Sequence, residues 1–83
     1  MFTVYVLSNV EGRLYIGQTA DLDRRLSEHD SGLVRWTRER GPWRLVHQEI
    51  FATRADAWRR ERQLKRGRAN QDLRRKLRST AFV

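Results

Sequence analysis

Two short strand-like segments near the start of the chain constrain its fold more than any other feature. Residues 2–7 form a β-branched and aromatic run, residues 9–12 form a turn cluster, and residues 13–17 alternate again. This pattern predicts a β-hairpin. Side chains alternate between the two faces of a strand, so one face takes the aliphatic residues and the other takes both Tyr5 and Tyr15. Tyrosine is enriched in strands, so on the hairpin alone both are more simply explained as packing residues. The aliphatic face consists of Val4, Val6, Leu14 and Ile16.

A short amphipathic helix is predicted directly after the hairpin, over residues 21–30. Leu22 and Leu26 mark its inward stripe, and Arg25 and His29, four residues apart, lie directly beside that stripe. A site with charged or proton-transferring side chains would explain this placement. A snorkelling arginine and a hydrogen-bonded boundary histidine explain it equally well.

A later predicted helix carries a carboxylate on its apolar face. Ala57, Glu61 and Leu64 are spaced i, i+4 and i+7, and Trp58 adjoins them. An unpaired buried charge is costly, so Glu61 needs a cationic partner. Two kinds of partner stay open at this point: a divalent metal ion, or an ion pair with Lys65 or with a neighbouring arginine.

Positive charge is concentrated in the last third of the chain. Residues 1–53 hold seven Arg and seven acids, whereas residues 54–83 hold eleven Lys or Arg and three acids, which accounts for the whole net charge of +8. Sixteen of the eighteen basic residues are arginine, whose planar donors suit phosphate. A solvated helix surface does not explain this one-sided distribution, so we expect nucleic-acid binding through backbone or shape. The expected contacts are Arg59, Arg62, Lys65, Arg66, Arg68, Arg74, Arg75 and Arg78.

Length and composition indicate one small basic α/β domain. A chain of 83 residues has room for one modest core, so we expect a single domain over residues 1–83 with a basic helical segment over residues 68–83. The absence of cysteine excludes disulfides and thiolate metal sites and fits a reducing cytoplasm. No apolar stretch approaches about 18 residues, so we expect no membrane association and a cytoplasmic location.

An ordered set of short motifs resembles the GIY-YIG nuclease domain. The likeness spans residues 3–67, and it is specific because the pieces occur in the same order and spacing. The first motif departs from the family pattern, since Thr3 and Val4 stand where glycine and isoleucine are usual. The matching residues are Val4-Tyr5, Leu14 to Thr19, Asp21 to Leu26, His29, Thr37, Pro42 to Val46, Ala57, Arg60 to Arg62, and Leu64-Lys65.

The resemblance implies an α+β fold, with a small three-stranded antiparallel sheet flanked by helices. It also implies a metal-dependent endonuclease that hydrolyses nucleic-acid phosphodiesters, DNA rather than RNA, in repair or processing. Tyr15 would help to activate the attacking water, with support from Tyr5, and the two roles are interchangeable at this stage. Arg25 would neutralise phosphoryl charge, and His29 would orient Tyr15 or relay its proton. Glu61 would hold a single Mg²⁺ or Mn²⁺ ion.

Two other functions stay open. A non-catalytic nucleic-acid-binding module would keep the basic face, and a partner-dependent subunit of a repair complex would obtain its specificity from a protein partner. Asn70 follows Glu61 by nine residues, which is closer than the asparagine of many family members. We therefore interpret Asn70 as a polar residue at the start of the last helix.

Overall fold

Three antiparallel strands form the sheet on which the fold is built. The computed structural model describes residues 1–38 and 40–80, without the side chains of residues 35, 36, 79 and 80. The strands are β1 (Phe2–Ser8), β2 (Leu14–Thr19) and β3 (Arg44–Phe51). Their order in the sheet is β2-β1-β3, and the central β1 pairs antiparallel with both neighbours. The predicted hairpin and the three-stranded antiparallel sheet are confirmed.

Two of the helices begin at a side-chain cap. The Asp21 side chain accepts from the backbone N–H of Arg24, and the Thr53 side chain accepts from that of Asp56. The basic segment predicted over residues 68–83 corresponds to the last helix, and residues 81–83 lie outside the described residues. The helices are α1 (Leu22–Asp30), α2 (Arg35–Arg38), α3 (Arg54–Leu64) and α4 (Gly67–Thr80).

The hydrophobic core lies between one face of the sheet and the helices α3 and α4. Val4, Val6 and Ile16 are buried from the sheet side. Ala57, Leu64 and Leu73 are buried from the helix side. The aliphatic face predicted for the hairpin is therefore confirmed, and both tyrosines lie on the opposite face, which α1 covers. In the described ranges, no helix is long and apolar enough to cross a membrane.

Two helix faces differ from the sequence expectation. Trp58 is 48% exposed, and the guanidinium of Arg62 lies 4.7 Å from its ring centroid. The expectation that Trp58 lies beside the buried stripe is wrong. Consecutive residues are about 100° apart around a helix, so Trp58 lies away from the face that Ala57 occupies. In α1 the buried residue is His29, whereas the leucines are half-buried. The inner surface of α1 is polar there because it meets the two phenols.

Candidate active site

A chain of hydrogen bonds joins β1, α1 and α2 on the face opposite the core. The Oη of Tyr5 lies 2.9 Å from Nε2 of His29. The Nδ1 of His29 lies 2.8 Å from Oγ1 of Thr37. The Nε of Arg25 donates to Tyr5 Oη at 3.4 Å. The structure therefore brings Tyr5, Arg25 and His29, all three singled out in the sequence, into direct contact. Thr37 extends the chain of hydrogen bonds.

The direction of these bonds follows from the two groups at the ends of the chain. Thr37 donates its hydroxyl hydrogen to the carbonyl of Val34 at 3.3 Å, so its oxygen accepts from Nδ1–H of His29. Nε2 of His29 then carries the lone pair and accepts from the Tyr5 hydroxyl. The guanidinium of Arg25 only donates, so Tyr5 accepts from it. In each of these hydrogen bonds the donor lies on the Arg25 side and the acceptor on the Val34 side.

Burial favours the neutral forms of His29 and Tyr5. Burial lowers the pKa of His29 below its ordinary value, and the positive charge of Arg25 lowers it further. Burial also raises the pKa of Tyr5 to about 12, although the bond from Arg25 acts in the opposite direction. The bond to Glu28 and the bond to Tyr5 raise the pKa of Arg25, which remains a cation. These protonation states agree with the bond directions.

The two tyrosines occupy different environments. Tyr5 is fully buried, whereas Tyr15 is half-buried and lines a surface cleft. The ring of Tyr15 lies 6.1 Å from that of Tyr5 and meets the ring of His29 edge-on at 4.8 Å, between centroids. Tyr15 also interacts with Arg25. His29 was expected to orient Tyr15, and it contacts that ring, but its hydrogen bond goes to Tyr5.

Gly17 makes room for both phenols. It is the register partner of Tyr5 across the β1–β2 pair. A Cβ atom at position 17 would lie 2.8 Å from the Oη of Tyr5 and 3.1 Å from Cε1 of Tyr15. Any side chain there would displace one or both rings, so glycine is required by the close approach of the two tyrosines to the backbone of β2.

The cleft beside Tyr15 runs along the turn between α3 and α4. Lys65 lines this cleft and pairs with Glu61, whose side chain is 16% exposed, at 3.1 Å. Asn70 also lines the cleft, donates to the carbonyl of Leu64 at 2.7 Å and accepts from Arg74 at 3.0 Å. Asn70 lies in the first turn of α4, as expected. Its position beside Tyr15 was missed, because it results from the packing of α4 against β2.

The donor set around Glu61 fits a hydrated divalent ion that needs one protein carboxylate. Mg²⁺ keeps several waters and uses one or two carboxylates together with substrate phosphates. In the part of the chain that the structure describes, there is no group of three or more His, Cys, Asp or Glu residues that would enclose a metal. The ion pair with Lys65, the alternative partner, is also present. Both partners named from the sequence are therefore compatible with the geometry.

The predicted nucleic-acid contacts are spread over two helices and the turn between them. Arg59 pairs with Asp56 at 2.7 Å, and Asp72 lies within 4.0 Å of both Arg68 and Arg75. These pairs are exposed and weak. Arg44 of β3 joins the basic surface beside α4; it was missed because the first 53 residues carry no net charge. The predicted residues lie on α3 (Arg59, Arg62), in the turn (Lys65, Arg66) and on α4 (Arg68, Arg74, Arg75, Arg78).

Comparison with known proteins agrees with this fold. Residues 1–76 match the model of the GIY-YIG catalytic domain. A UPF0213 protein of Natronomonas pharaonis is 44% identical over 63 residues, which cover 75% of this chain and 74% of that protein. A UPF0213 protein of Halalkalibacterium halodurans is 43% identical over 63 residues, which cover 75% and 67%. The solution NMR structure of a UPF0213 protein from Bacillus halodurans is similar with a TM-score of 0.54 and 38% identity, covering 88% of this chain and 81% of that one. The chain belongs to the GIY-YIG family.

Proposed function

We propose that this protein is a metal-dependent endonuclease that hydrolyses DNA phosphodiester bonds in repair or processing. One observation carries the proposal: the accessible phenol of Tyr15 lies beside a permanent cation, Arg25, and in front of the buried Tyr5–His29 pair. A proton acceptor next to an anion-binding group is what phosphodiester hydrolysis requires. Membership of the GIY-YIG family, a nuclease family, supports the same reaction.

Arg25 is the group that meets the phosphate. Its side chain is 35% exposed, and its bond to Glu28 at 3.0 Å holds the guanidinium in place. A charge fixed before the substrate arrives stabilises the extra negative charge of the transition state without reorganisation. Arg25 therefore neutralises the phosphoryl oxygens.

Proton removal follows the hydrogen-bond chain behind Tyr15. The attacking water gives its proton to Oη of Tyr15, which passes its own proton to Tyr5, and Tyr5 passes its proton to the neutral Nε2 of His29. The new bond joins the water oxygen to phosphorus, and the bond from phosphorus to the leaving oxygen breaks. That oxygen takes a proton from solvent. No phenolate has to form on the fully buried Tyr5.

Glu61 is the residue that would hold a divalent ion, Mg²⁺ or Mn²⁺, and such an ion would supply positive charge for the leaving oxygen. Lys65 now occupies one oxygen of this carboxylate. The ammonium and the metal therefore compete for Glu61, which gives the site a dependence on metal concentration.

A cleavage assay with the purified chain tests the proposal. Labelled branched DNA, single-stranded DNA and RNA are incubated with the protein in Mg²⁺, in Mn²⁺ and in EDTA. Metal-dependent nicking of DNA is expected. A parallel Tyr15→Phe preparation, purified identically, shows whether a contaminating nuclease is responsible.

The other outcomes identify the remaining functions. Binding of DNA without nicking under all conditions would indicate a non-catalytic binding module. Nicking that appears only after a protein partner is added would indicate a partner-dependent subunit. Nicking of RNA but not of DNA would contradict the proposed substrate.

A further inference from the structure

A cavity of about 620 Å³ lies between the core face of the sheet and α4. Its floor is apolar and consists of Leu14, Val46 and Leu77. Its rim carries three exposed guanidinium groups, those of Arg44, Arg74 and Arg78. None of the described residues that line it is acidic. The cavity is therefore built for an anionic molecule with an apolar body.

The cavity borders the cleft that Tyr15 lines. Leu14 and Arg74 line both. Leu14 precedes Tyr15 on β2, and its side chain projects from the opposite face of the strand. A polymer whose phosphate is held at Arg25 and Tyr15 would therefore cross Arg74 to enter the cavity.

Size and chemistry narrow the occupant to a nucleotide. The volume falls within the range of about 300–1,000 Å³ that is typical of small-molecule sites. Guanidinium planes stack on the faces of bases and also bind phosphate, so the arginine rim suits both parts of a nucleotide. A base that remains paired in a duplex cannot enter an apolar cavity without leaving its partner.

We propose that this cavity binds one unpaired base of the DNA strand that is cut, with the flanking phosphates held by Arg44, Arg74 and Arg78. The proposal rests on the nuclease function proposed above, and it gives that function a substrate class: DNA with an unpaired nucleotide next to the scissile phosphate. Fully paired duplex is then a poor substrate, and single strands, flaps or bulges are good ones.

Binding measured in EDTA tests the cavity without requiring catalysis. Fluorescence anisotropy compares a labelled single-stranded oligonucleotide with the same strand carrying abasic sites and with its duplex. Because base stacking contributes substantially to single-strand binding, we expect affinity for both comparison ligands to fall by about 10-fold. Two-dimensional NMR should show the methyl groups of Val46 and Leu77 shifting when a dinucleotide is added.

Two variants and one control test whether the preference for intact over abasic strands arises at the cavity. Ser8 pairs in register with Leu14 and Arg44, so Ser8→Trp fills the cavity. Arg78→Glu reverses a charge on the rim. Arg54→Glu makes the same charge change at the other end of β1, where Arg54 lies 4.6 Å from the ring centroid of Phe2. We expect Ser8→Trp to lose the preference for intact over abasic strands, and Arg78→Glu to weaken the binding of both strands more than the control Arg54→Glu does.

Failure of this proposal is distinguishable from failure of the nuclease proposal. Equal affinity for intact and abasic strands in the wild-type protein would overturn the base site, even if the protein cleaves DNA. A clear base preference without any cleavage would support the base site and contradict the nuclease. If Ser8→Trp does not fold, the NMR experiment on the wild-type protein still decides, because unshifted methyl groups of Val46 and Leu77 after dinucleotide addition would contradict the site.

Discussion

Tyr5 donates its phenolic hydrogen to Nε2 of His29 across 2.9 Å, so a fully buried tyrosine and a buried histidine form one hydrogen-bonded unit. The half-buried Tyr15 lies in front of this unit, with its ring edge-on to the histidine. The two phenols that share a face of the hairpin therefore differ in access to solvent. We therefore propose that Tyr15 faces the substrate and that Tyr5 supports it.

Replacing each tyrosine by phenylalanine separates these roles. Tyr15→Phe should lower single-turnover cleavage by at least about 100-fold, because it removes the group that takes the proton from water. Its free energy of unfolding should fall by no more than about 1 kcal/mol, since the phenol is accessible to water. Tyr5→Phe should cost about 1–3 kcal/mol, because His29 loses a buried donor. Cleavage and urea denaturation are measured for both. If Tyr15→Phe cleaves at the wild-type rate, Tyr15 has no part in the mechanism.

Thr37 fixes the tautomer of His29. It is 1% exposed and accepts from Nδ1–H at 2.8 Å. Thr37→Val keeps the shape but removes the acceptor, so the Nε2–H tautomer gains population and Tyr5 loses its proton acceptor. We expect cleavage to fall by about 10-fold or more, while Thr37→Ser retains activity. The ¹⁵N chemical shifts of His29 report the tautomer directly, and unchanged shifts in Thr37→Val would contradict this role.

Gly17→Ala should disturb both phenols at once. The added Cβ would lie 2.8 Å from Tyr5 Oη, so the variant should lose about 1–3 kcal/mol of stability through overpacking. The double variant Gly17→Ala with Tyr5→Phe removes the closest clashing atom. Thermal denaturation should therefore show that the two changes together cost less than their sum. Strict additivity would indicate that the clash does not involve the Tyr5 hydroxyl.

Glu61→Gln distinguishes a metal ligand from a simple ion pair. For a ligand, cleavage should be abolished and Mn²⁺ binding weakened, whereas DNA affinity should stay near or above that of the wild type because a negative charge has been removed. Asp72→Asn, with the same charge change on the exposed face of α4, should keep its activity. Isothermal titration with Mn²⁺ and a cleavage assay are compared for both. If Glu61→Gln stays active and only its melting temperature falls, the ion pair with Lys65 is the sole role of Glu61.

The lowered pKa of His29 makes the fold sensitive to acid. Burial and the charge of Arg25 lower this pKa, while Asp30 and Glu28 on the same helix oppose the shift. In the unfolded chain His29 binds a proton near its ordinary pKa of about 6.5, at a pH where the folded chain does not. The free energy of unfolding should therefore be highest above about pH 6.5 and should decline as the pH falls towards the lowered pKa of His29.

Urea denaturation between pH 5 and pH 8 measures this decline. His29→Gln should flatten it, because the group that takes up the proton is gone. The neighbouring phenol of Tyr5, whose pKa is raised to about 12, stays protonated over this range and does not contribute. An identical pH dependence in the variant would place the acid sensitivity elsewhere.

Local sequence patterns determined the secondary structure and which side chains face each other. Alternation along residues 2–7 and 13–17 was sufficient to place the tyrosines together and the valines in the core. The capping of α1 and α3 by Asp21 and Thr53 follows from side chains three residues away from the groups they bind. The sequence also placed Arg25 and His29 on one helix face, because four residues complete about one turn.

Tertiary structure alone decided the direction of the hydrogen bonds and the shape of the cleft. His29 bonds to Tyr5 through Nε2, and Thr37, eight residues further along the chain, binds its other ring nitrogen. Arg44 and Arg74 meet at one cavity only because β3 and α4 pack at the same end of the sheet. Hydrogen-bond partners and cavities arise from residues far apart in the chain, whose approach depends on the packing of whole elements, so no local pattern encodes them.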